Sequence, residues 1–310
     1  MPKFIELLTK IQIPSSMETK LNSSGVREIC LSSEMLNGNM QTDDAAFEGW
    51  ALLFHSIEKK KILLDIDRAP SKNDNHYNRF LYRVMKFNKQ FPDWFKISSQ
   101  LRKGVNEFEA IISSETSGKF ENNDPGDESK LTDKGERGIE SKLSTVYGTK
   151  LLKELAATKG IDLGKNQIYR QLPVGLFKGE KRGNSYFFPG KGADIDLWTF
   201  NGDAIYIFEL KYSNRKVGLL SELYFYANYM HDMYAGGNSH FIRRTANNNS
   251  LRGYDKISNA SIKQIYAIAL VDEFHPNLDD QKCKIFKLLN QNESLIKYDY
   301  LIYNPNDLNK

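Results

Sequence analysis

The stretch GADIDLWTFNGDAIYIFELKYSNRK, residues 192–216, sets Asp194, Asp196, Glu209 and Lys211 in or beside runs that otherwise read as buried β-strand. Side chains alternate along a strand, so Ile207, Glu209 and Lys211 share one face of the second run, and Asp194 and Asp196 share one face of the first. Asn201-Gly202 between the runs is a strong hairpin signal. Read as a two-residue loop, it sets Asp194 opposite Glu209, with Asp196 diagonal to it. Two or three carboxylates and an ammonium then converge at one end of a hairpin, where like charges destabilise unless neutralised. A divalent cation would neutralise them, because Mg²⁺ and Ca²⁺ take hard oxygen donors. The plainer alternative is a surface hairpin whose charges are solvated. The apolar run AIYIFELK weighs against it, since buried carboxylates demand partners.

The elements that must hold these residues follow from the pattern on either side. RGIESKLSTVYGTKLLKELAATKG predicts one long helix stopped by Gly160, and NQIYRQLPVGLF a strand interrupted at Pro173. After the hairpin, VGLLSELYFYANYMHDMY predicts a helix and IKQIYAIALV a further strand. The order of helix, strand, hairpin, helix and strand makes an α/β unit around a mixed sheet.

Upstream, residues 113–138 are polar, rich in Gly, Asp, Asn and Ser, and read as a surface linker with a domain boundary near 125. Domains are therefore expected at 1–125 and 126–310. The first is expected to be mainly helical and aromatic-rich, serving targeting, regulation or oligomer contacts. DDAAFEGWALLFHSIEKKK predicts an amphipathic helix and ILLDIDRAP a short strand. HYNRFLYRVMKFNKQFPDWF predicts an aromatic helix ending at Pro92. Phe80, Tyr82, Phe87, Phe91, Trp94 and Phe95 could stack on bases, but aromatics at helical spacing are more often core.

A carboxylate on one strand, about a dozen residues, then Glu-x-Lys at the end of an apolar strand resembles the signature of the PD-(D/E)xK nuclease superfamily. The motif here is Asp196 followed by Glu209-Leu210-Lys211. The flanking elements are similar to that family's αβββαβ order over roughly residues 131–275. The resemblance implies a restriction-endonuclease-like core and an Mg²⁺- or Mn²⁺-dependent nuclease. Asp196, Glu209 and the Leu210 carbonyl would hold the metal, and Lys211 would orient the attacking water. Glu140 would be the core-helix acid, with Glu136 one turn earlier as the fallback. Ile195 stands where the family often has proline. Asp194 competes for the metal role, and the simple hairpin register favours it. A bulge at the loop would shift the register, so the family spacing favours Asp196. Glu222 and Tyr226 match a Gln-x-x-x-Tyr helix motif of exonuclease-like members, with Glu in place of Gln. Removing Glu209 is expected to leave the fold intact, because carboxylate repulsion falls.

Lys178, Lys181, Arg182, Arg243, Arg244 and Arg252 stand in polar contexts where they could clamp phosphates or simply be solvated. Net charge is +4, split as −1 over residues 1–130 and +5 beyond, which is mild. Cys30 and Cys283 have no CxxC partner, arguing against a disulfide framework and fitting a reducing, cytoplasmic setting. The five histidines show no metal spacing, and no phosphate-binding glycine motif is present. No run nears the ~18 apolar residues of a membrane span, so no membrane partner is expected. The partner expected is DNA, double-stranded by preference, with a homodimer admitted. The reading is thus a DNA phosphodiesterase of the restriction or phage-defence kind. A non-catalytic nucleic-acid-binding or assembly module on the same fold is the alternative.

Overall fold

The run AIYIFELK is apolar at nearly every position, and such a run suits a strand covered on both faces. It does form one, buried throughout after Ala204, and the second half of the chain is built on it. The structure is a computed structural model that describes residues 11, 13–36, 38–70, 74–114, 119–125, 133–189, 193–245, 251–292 and 295–309. The chain is α/β, with mixed sheets of parallel and antiparallel strands.

The chain divides into two compact units. The first comprises Met1–Ser117, Lys216–Tyr224 and Phe274–Glu293, and the second the remainder. In the first lie β1 (Glu18–Leu21), β2 (Arg27–Leu31), α1 (Phe47–Glu58) and β3 (Ile62–Ile66). They are followed by α2 (Asn75–Gln90), β4 (Phe95–Ile97) and α3 (Ser99–Ser113). Its four strands form one sheet in the order β1-β2-β3-β4. The sequence pattern predicts α1, β3 and α2 but neither α3 nor this sheet, whose β1, β2 and β4 are three to five residues long and partly polar. Asp74 and Ser98 cap α2 and α3 by accepting backbone N–H bonds from their first turns. Phe80, Tyr82, Phe87, Phe91, Trp94 and Phe95 are all buried. Phe87 meets Phe47, Phe91, Trp94 and Phe95 ring to ring. They are core, and no base-stacking platform is exposed among them.

The second unit opens with β5 (Phe120–Asn122), α4 (Gly135–Leu143), α5 (Val146–Ala157), β6 (Tyr169–Pro173), β7 (Leu176–Lys178) and β8 (Tyr186–Phe188). Then come β9 (Asp194–Asn201), β10 (Ala204–Lys211) and α6 (Gly218–Tyr234), whose first turns belong to the first unit. β11 (Phe241–Ile242), α7 (Tyr254–Ser258), β12 (Gln264–Val271), α8 (Lys282–Leu289) and β13 (Ile296–Ile302) complete the chain. α8 lies in the first unit. The main sheet has the order β13-β12-β10-β9-β6, with β10, β12 and β13 parallel.

Three expectations are corrected. The segment read as a linker contains β5, which pairs with β7 and β11 and buries Phe120 completely. Residues 115–118 and 126–132 of that segment lie outside the described residues. The single long helix is two. Thr145 caps the second by accepting the Gly148 N–H at 3.1 Å, and a Cβ on Gly148 would fall 2.1 Å from the Lys142 carbonyl. Only glycine permits that approach. The sheet also gains β13, beyond the last strand anticipated. Leu197, Phe208, Leu210, Ile268 and Leu301 form one core with Ile139 and Leu143 of α4 and Leu152 of α5. Each such buried side chain contributes about 1.5–3 kcal/mol, and together they fix α4 over the strand ends that carry the charges.

Candidate functional site

The hairpin register decides which aspartate faces Glu209. The ladder starts at Asn201 with Ala204 and ends at Leu197 with Phe208. The loop is therefore Gly202-Asp203, not Asn201-Gly202. Gly202 has φ 61° and Asp203 is not left-handed, the sign pattern of a II′ turn with glycine first. Asn201 is held in the strand, where its side-chain amide donates to the Asp162 carbonyl at 3.2 Å. One step beyond Leu197 and Phe208, Asp196 stands opposite Glu209, without any bulge. The opposition of Asp194 to Glu209 expected from the Asn-Gly loop is overturned.

At the same step the ladder stops, and a side chain takes over. Asp196 Oδ2 accepts the Leu210 N–H at 2.8 Å. The Leu210 side chain lies in the core, so this peptide is fixed from both sides. Glu209 and Lys211 are buried, 2% and 4% exposed, and Lys211 Nζ donates to Glu209 Oε1 at 2.5 Å. Glu136, in the first turn of α4, lies 3.8 Å from Lys211 Nζ and accepts the Tyr212 N–H at 3.3 Å.

Beside this group lies a second charged cluster. Glu140 is buried, with Arg170 Nε at 3.5 Å and Gln171 Nε2 at 3.5 Å. Burial pushes its carboxyl up to about 7, against the pull of Arg170. Asp194 is also raised by burial, while Arg252, 3.6 Å away, opposes the rise. Gln171 is left-handed at φ 53°, and the β6–β9 ladder skips it while pairing Arg170 and Leu172 in register. Its carbonyl accepts from Arg252 Nη1 at 3.0 Å. Sequence reasoning missed Arg170 and Gln171. A polar pair inside the otherwise strand-like IYRQLP was the available signal, of the same kind as the ELK run.

The structure thus gathers Asp196, Glu209, Leu210, Lys211 and Glu136 at one strand end, with Glu140 and Asp194 in the neighbouring ion-pair cluster. Glu222 and Tyr226 are both buried on α6. Of the six basic residues expected to meet phosphate, five engage the chain itself. Lys181 pairs with Asp124, Arg182 with Glu180 and Arg244 with Glu121. Arg243 donates to the Ala260 carbonyl and Arg252 meets Asp194. The Arg182–Glu180 pair is 70% and 75% exposed, and exposed pairs hold with only about 0–1 kcal/mol, so Arg182 is free to exchange partners. Arg243, also stacked over Tyr234, has a structural role. Lys178 is exposed at the end of β7.

Among the described residues no three His, Cys, Asp or Glu side chains gather into a metal cage. Mg²⁺ seldom uses such a cage, taking one or two carboxylates with waters and substrate phosphate oxygens. The facing pair Asp196 and Glu209 fits that habit in donor chemistry and number. Among the described residues no helix is long and apolar enough to cross a membrane, and both cysteines are free. No protein-family model, curated protein or solved structure matches this chain.

Proposed function

We propose that the second unit is a metal-dependent DNA phosphodiesterase with a PD-(D/E)xK-like site, acting by preference on double strands. One observation carries this reading: Asp196 faces Glu209 where the hairpin ladder ends, and Lys211 binds the same glutamate. The order of α4, β6, the β9–β10 hairpin, α6 and β12 supports it, being the order the family resemblance implies. A restriction or phage-defence role extends the same resemblance.

In this reading Asp196, Glu209 and the Leu210 carbonyl would hold Mg²⁺ or Mn²⁺, with Glu140 as the further acid. The ion would supply Lewis acidity and a more acidic bound water. The chain's own part is positional. Asp196 fixes the Leu210 peptide through its amide, and Lys211 sets a compact positive charge where negative charge grows on the phosphate. Arg182, on the exposed segment between β7 and β8, and Lys178, exposed at the end of β7, are the side chains best able to donate to backbone phosphates.

The test is incubation of the full chain with supercoiled, linear and single-stranded DNA and with RNA, in Mg²⁺, Mn²⁺ or EDTA. Metal-dependent cutting of duplex DNA is expected. Tight binding without cutting under any metal would replace this reading with the non-catalytic nucleic-acid-binding module. Neither binding nor cutting would remove both.

A further inference from the structure

An acidic residue in the first turn of a helix ordinarily needs no special account, because it complements the helix dipole. Glu136 does more than that. One carboxylate oxygen lies 3.8 Å from Lys211 Nζ, and the other accepts the Tyr212 N–H at 3.3 Å. The Lys211 ammonium therefore stands between Glu136 and Glu209, and the backbone just past β10 is tied to α4 by the same side chain. On the far side of that backbone Tyr303 Oη donates to the Lys211 carbonyl at 3.3 Å. Both the tip and the root of the lysine are held.

We propose that Glu136 is a positioning residue that aims Lys211, and is not a ligand of the metal. This rests on the nuclease reading above only for its consequence in rate. The physical argument is one of lysine freedom. A lysine side chain has about 2 kcal/mol of rotamer entropy to lose, and one carboxylate at 2.5 Å fixes the ammonium's distance but not its direction. If a metal ion draws Glu209 away from Lys211, Glu136 remains as a carboxylate beside the ammonium. Glu136 is one-third exposed, against 2% for Glu209, so it can serve at the mouth of the site without a large burial cost.

Glu136→Gln keeps an acceptor for Tyr212 but removes the charge facing Lys211, and Glu136→Ala removes both. The expected result for Glu136→Gln is a fall in single-turnover cleavage of roughly tenfold or more, with half-saturating Mg²⁺ unchanged. In a Lys211→Ala background the same change should cost almost nothing further, since there is no ammonium left to aim. Hydrogen exchange at the Tyr212 amide should accelerate in Glu136→Ala and remain slow in Glu136→Gln. A several-fold rise in the Mg²⁺ requirement, with the rate restored at high Mg²⁺, would make Glu136 a ligand and overturn the proposal. So would an additive loss in the Lys211→Ala background, or full activity in Glu136→Gln. If the wild-type chain cleaves nothing, the nuclease reading falls by itself. The Tyr212 exchange then decides the tether alone, and unchanged exchange in Glu136→Ala overturns it.

Discussion

Asp196 stands opposite Glu209 and accepts the Leu210 amide at 2.8 Å, while Asp194, on the same strand face, meets Arg252 at 3.6 Å. The two aspartates therefore have different work, although the sequence sets them two residues apart. An asparagine at 196 can still accept the Leu210 N–H through its amide oxygen, so the fold should persist while the negative charge is lost. Asp196→Asn is expected to lower single-turnover cleavage by roughly 10²-fold or more, as a contact made to the reacting centre does. Asp194→Asn should stay within about tenfold, because it loosens an ion pair beside the site. The reverse order would return the metal role to Asp194.

Glu209 and Lys211 form a buried pair, which reverses the expectation that losing Glu209 would leave the fold untouched. Breaking a buried pair leaves one charge uncompensated at a cost of about 3–5 kcal/mol. Glu136, near the same ammonium, should hold the loss for Glu209→Ala to the lower end of that range. Glu209→Gln should lose less, because its carbonyl still accepts from Lys211. Replacing both partners with apolar residues, Glu209→Leu with Lys211→Met, should recover most of the stability of Glu209→Ala and none of the activity. Denaturant titration measures the first effect and cleavage the second. A Glu209→Ala protein as stable as the parent would contradict the buried pairing.

Much of this site was legible because charge inside an apolar strand is anomalous. Asp196, Glu209 and Lys211 were visible on that ground, and alternation put them on one face. The register was not legible. Two registers that differ by two residues keep every side chain on its face, so the apolar pattern does not choose between them. The observed register goes with Gly202 at φ 61° in the first loop position and with Asn201 bonded to Asp162, a contact 39 residues away in sequence. Likewise β1, β2 and β4 are too short and mixed to announce themselves, and they are strands because their neighbours pair with them. The broken helix at Ser144–Thr145 had a local sign, Thr145 ahead of Gly148, which amphipathic periodicity across the break concealed. The contacts of Glu140 with Arg170 and of Asp194 with Arg252 join residues far apart in the chain, and no local pattern encodes them.

Glu140 gives a pH dependence whose sign can be worked out. Its folded pKa is raised to about 7, chiefly by burial, above the ~4.3 of a free glutamate. The folded state therefore holds the proton more tightly than the unfolded chain does. The associated stability is full below about pH 4 and is lost as pH rises through 7. Glu140→Gln cannot ionise, so it should be more stable than the parent at pH 8, by about 1–3 kcal/mol, and should lose that advantage by pH 5. Thermal melts across that range give the comparison. An advantage that grows toward low pH would mean that Glu140 is ionised and paired in the folded protein.

Lys211 tests the chemistry itself. Its ammonium lies between Glu209 and Glu136 at the end of a buried strand. It can therefore meet the phosphate where charge accumulates in the transition state, which is where a preformed charge is most effective. Lys211→Ala should lower the chemical step by roughly 10²-fold or more, while DNA affinity changes little. Because the substitution also strands Glu209, rates must be taken at a temperature where circular dichroism shows the variant fully folded. Lys211→Arg should rescue poorly, since the planar guanidinium is bulkier than the ammonium and the position is only 4% exposed. A phosphate anchor without a catalytic role would behave differently, losing affinity and part of its salt dependence while saturated turnover stayed intact. A solvated bystander would lose neither. Single-turnover rates with enzyme in excess, repeated at two salt concentrations, separate the three cases, and an unaltered chemical step in folded Lys211→Ala would end the mechanism proposed for this site.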